Sequence, residues 1–301
     1  MPITLDGQTV PLPRNYAPTL LKSAFEQSVI QPLTSSEPMP LGETVVPQYD
    51  GGIEAGWVGE GQRKPVSEAS MSFKTLAPRK VATIVVVSKE MVKVNPARML
   101  DLVNQDLQNA ITRAVDLAIL YGKDAKSGAA LSNASFVNQT TNRVELTDAD
   151  LVPQVLAGYD LAGEASDPSG FAFDSRMRTR LALAQQQDGT GAPGAPRVMP
   201  NLNASVNDVA GLPATFGRVV SGRVGTNADT NVKGFVGDWD KVRWGYGEQI
   251  TMSRSTEATI VDGANTYHLF QDNLIGLLVE AIVGWTVMDV DAFAAYDDAV
   301  A

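Results

Sequence analysis

Residues 95–122 read NPARMLDLVNQDLQNAITRAVDLAILYG, and this stretch constrains the fold more than any other. Asn95 suits an N-cap, Pro96 the first helical position and Gly122 the left-handed site past the last turn, so both ends are punctuated. Between them Leu100, Val103, Leu107, Ala110, Ile111, Ala114, Leu117, Ala118 and Tyr121 recur every three to four residues. The pattern predicts one helix with one buried stripe, about 26 residues and roughly 39 Å long. A rod more than twice the mean helix length is a spine on which other layers can pack.

The segments around the spine differ in kind. Residues 1–42 read as an arm: YAPTLLKSAFEQSVIQPL places Leu20, Leu21, Phe25 and Val29 at helical spacing, and Pro32, Pro38 and Pro40 stop it. So short an amphipathic helix needs a surface to lie on. Residues 43–87 carry Val, Thr and Ile on both sides of the Gly-rich GGIEAGWVGEGQRKP, which reads as a long two-stranded excursion with a basic cast from Lys64, Lys74, Arg79 and Lys80. Such a hairpin is marginal alone and is held by what it touches. From residue 123 to about 245 elements alternate. Thr147 with Asp148 and Asp150 opens a helix through LVPQVLAGYDLAG, and FAFD is strand-like. Ser175 caps RMRTRLALAQQQ, DGTGAPGAP reads as a surface loop, and LPATFGRVVS and KGFVGDW are further strands. Near the end, Ile275, Leu277, Leu278, Val279, Ile282, Val283, Trp285, Val287 and Val290 are too densely apolar for a one-sided strand. They predict a long strand covered on both faces, and Gly276, Gly284 and the β-branched content favour it over a helix.

Composition narrows the chemistry. The 301 residues contain no cysteine, which removes disulfides, thiolate nucleophiles and Cys-based metal sites. A net charge of −10 argues against a protein that grips nucleic acid through a broad basic face, although enclosing it loosely fits. No signal peptide and no apolar run long enough to span a bilayer is evident, so a soluble protein of a cytoplasm-like compartment is expected. His268 is the single histidine, which leaves one possible base for a triad and no two-His metal site; in TYHLF it reads as a packed ring. GEGQRKP lacks the Walker spacing and reads as a turn. Asp238 with Asp240, and Asp289 with Asp291, are two-carboxylate pairs that suit turns better than a hard cation. Trp57, Trp239, Trp244 and Trp285 are spread along the chain and read as core or interface anchors.

Taken in order, the arm helix, the Gly-rich excursion, the long helix ending in DLAILYG, the mixed region, GDWDKVRWG and the terminal NLIGLLVEAIVGWTVMDVDAFA resemble the major capsid proteins of tailed bacteriophages with the Hong Kong 97-type fold. Each motif alone is common; their order and spacing over the whole chain carry the resemblance. It implies an α+β fold with an arm over 1–42, an extended loop over 43–87, a spine helix within 88–124, a mainly axial domain over 125–245, and a sheet with the C-terminal segment over 246–301. Spine and sheet form a peripheral domain.

What the resemblance implies about function is a structural subunit and not an enzyme. It would self-assemble into hexamers and pentamers of an icosahedral head, without cofactor or metal, around double-stranded DNA whose sequence it does not read. The implied partners are other copies of itself, a separate scaffolding protein, a portal and a decoration protein, with no membrane. Assembly would occur in the bacterial cytoplasm and the product would be the virion. A separate scaffold is expected because only the fifteen residues MPITLDGQTVPLPRN precede the arm helix, and Met1 leaves no sign of maturation cleavage. The expected contact residues are Leu20, Leu21, Phe25, Trp57, Glu60, Arg63, Lys64, Lys74 and Arg79. Some members cross-link a loop lysine to an asparagine with help from a glutamate; Lys64 or Lys74, Asn273 and Glu280 fall where those groups would sit. The alternative for Asn273 is a turn residue, for Glu280 a satisfied strand polar group, and for the lysines a solvated face. The other readings are an encapsulin-like compartment shell and, outside the fold, an intracellular hydrolase or binding module.

Overall fold

The computed structural model describes residues 28–40, 42–51, 53–94, 99–147, 151–183, 208–263 and 265–298. In chain order the elements are β1 (Glu37–Pro38), β2 (Thr44–Gly51), β3 (Ser70–Leu76), β4 (Arg79–Ser88), α1 (Lys89–Val94), α2 (Met99–Tyr121), β5 (Arg143–Leu146), α3 (Leu151–Gly163), β6 (Gly170–Phe173), α4 (Met177–Leu183), β7 (Asp208–Val209), β8 (Leu212–Phe216), β9 (Val232–Gly237), β10 (Val242–Ser255), β11 (Thr259–Asp262), β12 (Asn265–His268), β13 (Leu274–Val287) and β14 (Phe293–Asp298). The architecture is mixed α+β, with few helices and several sheets.

One sheet has the order β1-β10-β13-β4. Its centre is β13, the apolar run anticipated at the end of the chain: the odd-numbered face is buried throughout, from Ile275, Leu277 and Val279 to Trp285 and Val287, whereas the even-numbered face is buried towards its ends, at Leu274 and Thr286, and only half-buried between, at Leu278, Glu280 and Ile282, so the expected cover on both faces is complete on one alone. β13 runs antiparallel to β4, with Ile275 opposite Val87 and Ile282 opposite Lys80, and antiparallel to β10, where Trp244 meets Trp285. The spine α2 lies against β13 and β4. It ends where Gly122 adopts φ +61 and donates its N–H to the Ala118 carbonyl at 2.8 Å. A Cβ there would also sit 2.5 Å from the Phe136 ring, so both backbone and packing require glycine. The anticipated caps Asn95 and Pro96 lie outside the described residues. The single buried stripe is an underestimate near the C-terminus, where every residue from Val115 to Tyr121 is buried, including Asp116. That part of the rod is enclosed by the sheet on one side and by residues 29, 30, 219 and 220 on others.

The second sheet has the order β5-β14-β9-β6-β8-β7. α3 packs on it through Gly158, where a Cβ would meet the Tyr296 ring at 2.3 Å, and the Tyr296 hydroxyl donates to the Val155 carbonyl at 2.6 Å. Trp239 is fully buried, donates its indole N–H to the Gly170 carbonyl at 3.0 Å and meets Phe293 edge-on. Three expectations need correction. The 43–87 excursion is narrower, because only β2 and β3 pair with each other while residues 79–88 enter the long sheet, where their apolar residues find β13. β14 leaves the long sheet and joins the second, its burial coming from β9 and α3. Asp174, not Ser175, starts α4: its Oδ1 accepts the Arg176 N–H at 2.8 Å. Asp148, Asp150 and DGTGAPGAP lie outside the described residues.

Candidate functional site

β2 and β3 form an antiparallel ribbon that no other sheet flanks. Its register places Pro47 opposite Phe73 and Tyr49 opposite Met71, with Val45 opposite Thr75 on the same face. Alternation then makes this face apolar and the other mixed, with Thr44, Gln48, Ser72 and Lys74 beside Val46 and the buried Leu76. Val45, Tyr49, Met71 and Phe73 are nonetheless all more than half exposed. Beyond the ribbon the Gly-rich tip is clasped at its neck, where Glu54 N–H donates to Ser67 Oγ at 3.2 Å and the Ser67 hydroxyl donates back to the Glu54 carbonyl at 2.6 Å. The tip turns where Gln62 N–H reaches the Gly59 carbonyl. Trp57 stands fully in solvent at 106% exposure, and Val58, Glu60, Arg63 and Lys64 are exposed beside it. The structure thus brings Trp57, Glu60, Arg63 and Lys64 together on one tip and leaves Lys74 on the ribbon. Arg79 is elsewhere: it lies in β4, stacks over Trp285 at 5.6 Å and donates to the Ser132 carbonyl, a packing role. Leu20, Leu21 and Phe25 lie outside the described residues.

Where residues 28–34 meet the spine, sequence reasoning missed a polar contact. Ser28 Oγ donates to Asp116 Oδ1 and Val29 N–H to Asp116 Oδ2, both at 2.8 Å, while Ser28 Oγ accepts the N–H groups of Ile30 and Gln31. Val29 and Ile30 are buried beside it. Burial pushes the Asp116 carboxyl up to about 7, against the hydrogen bonds from Val29, Ser28 and Ile30 that favour its charge. A lone acid inside VDLAILY was the available signal. A second missed cluster joins β9, β14 and α4: Arg223 meets the fully buried Asp174 at 3.1 Å, Arg180 meets Asp298 at 2.9 Å, and the buried Lys233 lies 3.6 Å from Asp229 and 3.7 Å from Asp298. Burial works against the charge of Asp174, but hydrogen bonds from Arg176 N–H, Ser221 and Arg223 hold its carboxyl below the usual value.

The residues considered for cross-linking are not gathered within one chain. Asn273 takes φ +54 in the turn before β13 and its amide donates to Glu90, while its carbonyl accepts the Lys89 N–H. Glu280 lies mid-strand, roughly 20 Å further along at the strand rise per residue. Its carboxylate is not in an apolar pocket but pairs with Lys80 at 2.7 Å. His268 is exposed, with Nδ1 3.2 Å from Thr259 Oγ1 on the β11–β12 hairpin, so it is not the packed ring anticipated. Asp238 accepts the Asp240 N–H and caps a short 3-10 turn, and Asp289 likewise accepts the Asp291 N–H. Trp239, Trp244 and Trp285 are core anchors. Among the described residues no group of three or more acidic or histidine side chains could hold a metal ion, and no helix is long and apolar enough to cross a membrane.

Residues 8–298 match the phage capsid family. The chain is 28% identical to the probable major capsid protein gp17 of Mycobacterium phage D29 over 92% of this chain and 86% of that protein. Its fold is similar to a solved structure from Gordonia phage Cozz, with TM-score 0.80 and 32% identity over 96% of this chain and 92% of that one. A structure from Mycobacterium phage Ogopogo gives TM-score 0.78 and 28% identity over 96% and 97%. The chain therefore belongs to the phage capsid family, and its role is that of a tailed-phage major capsid protein, a structural component of the virion shell.

Proposed function

We propose that the chain assembles, without cofactor or catalysis, into the hexamers and pentamers of an icosahedral head with the Hong Kong 97-type arrangement, enclosing double-stranded DNA. In this reading the long sheet with α2 is the peripheral domain, the second sheet with α3 and α4 clusters near the capsomer centre, and the β2–β3 ribbon is the extended loop. The observation that carries it is the bare apolar face of that ribbon. A two-stranded ribbon is marginally stable at best in water, and a monomer has no reason to display Val45, Tyr49, Met71 and Phe73 on one face. In a closed shell a neighbouring copy covers them, and interface area replaces the disulfides that a cysteine-free chain cannot form. The net charge of −10 suits a wall that encloses a polyanion without gripping it. Assembly in the host cytoplasm follows from the same reading.

The test is expression of the full chain, alone and beside the product of the adjacent gene, followed by velocity sedimentation and negative-stain electron microscopy. Closed shells, or rings of five and six, are expected. A uniform 32 kDa monomer under both conditions would overturn the proposal.

A further inference from the structure

The second sheet carries opposite charges at its two ends. At one end stand the starts of β6 and β14 and the close of β9, since Gly170 and Phe293 both lie opposite Gly237. Three connections are tied together there: the Ser166 hydroxyl donates to the Asp238 carboxylate at 2.6 Å, Trp239 N–H to Ser169 Oγ at 2.9 Å and Asp238 N–H to the Ala292 carbonyl at 3.2 Å. They present Glu164, Asp167, Asp240 and Asp291 to solvent, with Lys241 among them. Glu164 and Asp167 form no ion pair and no side-chain hydrogen bond with any described residue.

At the other end β6 stops at Phe173, β8 at Phe216 and β14 at Asp298. The start of α4, the loop before β9 and β9 itself bring cations to it. The aspartates there are already occupied: Asp174 by Arg223, Asp298 by Arg180 and Lys233, and Asp229 by Arg223, Lys233 and, at 3.7 Å, Arg176. Arg178 is left over. Its guanidinium lies on the Phe216 ring at 4.7 Å and meets no carboxylate among the described residues. Arg176 turns outward, with 59% of its side chain exposed. From Gly170 to Phe173 the strand advances roughly 10 Å, beyond the Debye length of about 8 Å at physiological salt, so the two ends do not neutralise each other within one chain.

A ring of five or six copies constrains the contact that closes it. Every copy must offer its neighbours two different surfaces that fit each other, because a surface that fits only itself stops at a dimer. An acidic and a basic end on one sheet meet that condition. We propose that the second sheets join head to tail around the capsomer, with Glu164 and Asp167 of one copy against Arg176 and Arg178 of the next and with Asp240 and Asp291 flanking the contact. The inference rests on the shell reading above and adds to it the direction of the ring and the charges that set it. Such a pairing steers approach and rejects the wrong orientation more than it adds affinity, since a copy turned end for end would set carboxylates against carboxylates. A guanidinium stacked on an aromatic ring keeps its planar fork for a carboxylate.

Charge reversal tests the contact. R176E/R178E carries two acidic ends and E164K/D167K two basic ends, so each alone should lose shells and rings about tenfold or more relative to the wild type in the sedimentation and microscopy assay. The quadruple variant restores complementarity with the signs exchanged and should form shells again. In an equal mixture of the two double variants each end fits only the other variant, so the copies must alternate: rings of six should appear and rings of five should not. Normal shell yield from either double variant, rings of five in the mixture, or no recovery in both the mixture and the quadruple variant would overturn the head-to-tail contact while leaving the shell reading intact. Failure of the wild type to form shells under either expression condition would instead remove the shell reading, and this contact with it.

Discussion

The β13 strand and the β2–β3 ribbon are both β-structure rich in apolar side chains, yet they have opposite fates. One face of β13 is buried along its whole length in the core that also holds α2, while β4 and β10 pair with it in the sheet. The ribbon's face with Val45, Tyr49, Met71 and Phe73 is apolar as in a half-buried strand, but none of the described residues covers it. The difference teaches that apolar content does not by itself define the core of a shell protein. In the shell reading proposed above, part of the core is supplied by another copy, and the isolated subunit carries it on its surface.

The comparison breaks first at the covered region. Trp239→Ala removes a fully buried indole, its contact with Phe293 and the hydrogen bond to Gly170, and should cost about 3–5 kcal/mol in urea unfolding of the unassembled chain. A loss below about 1 kcal/mol would mean that the second sheet is not packed as a core.

Asp116 sharpens the boundary between the two regions, since it holds Ser28 and Val29, where the chain leaves the 1–27 segment, against the spine. Its carboxyl is raised, so the neutral form is favoured by the fold: the associated stability is complete below the ordinary value of 3.8 and is lost as pH rises through about 7. Integrated between about pH 5 and pH 8 this amounts to roughly 3 kcal/mol. Tyr246 on β10 is the other titratable group that faces it, itself raised by burial and by the Asp116 charge. Asp116→Asn should remove that fall, so that wild type and variant diverge as pH increases. Parallel stability curves would show that the carboxylate is solvated in practice.

Much of this was legible in the sequence because it follows from periodicity. The spine's end at Gly122, the long strand β13, α3 and the turn roles of Asp238 and Asp289 all rest on local patterns of polarity and backbone demand. The partition of the ribbon was not legible: residues 79–88 look as strand-like as 44–51, and only the long-range pairing with β13 separates them. The same limit hid Asp116, whose partners are 87 and 88 residues distant, and the Asp174–Arg223 pair across 49 residues. Trp57 was picked out by residue type, but its full exposure, against the burial of Trp239, Trp244 and Trp285, depends on where the chain folds and not on its neighbours in sequence.

On the uncovered side, Phe73→Ser and Met71→Ser should leave the unfolding free energy of the unassembled chain within about 0.5 kcal/mol, since both side chains are already in water. The same variants should fail to form shells in the sedimentation assay. Shells of normal yield would mean that the ribbon face stays bare in the particle, and the contrast with β13 would lose its functional meaning.

The smallest effect is expected at Glu280, which belongs to the covered region by position but reaches its edge. Its ion pair with Lys80 joins a side chain 27% exposed to one 57% exposed, so solvent screens the attraction and Glu280→Gln should cost less than about 1 kcal/mol, falling further with added salt. A structural Glu280 also predicts that denatured particles of wild type and variant both migrate as the 32 kDa chain. A ladder of higher mass in the wild type that vanishes in the variant would assign the carboxylate to proton transfer between a loop lysine and Asn273. Those groups would then have to come from different subunits, because within one chain Asn273 and Glu280 are separated by half the length of β13.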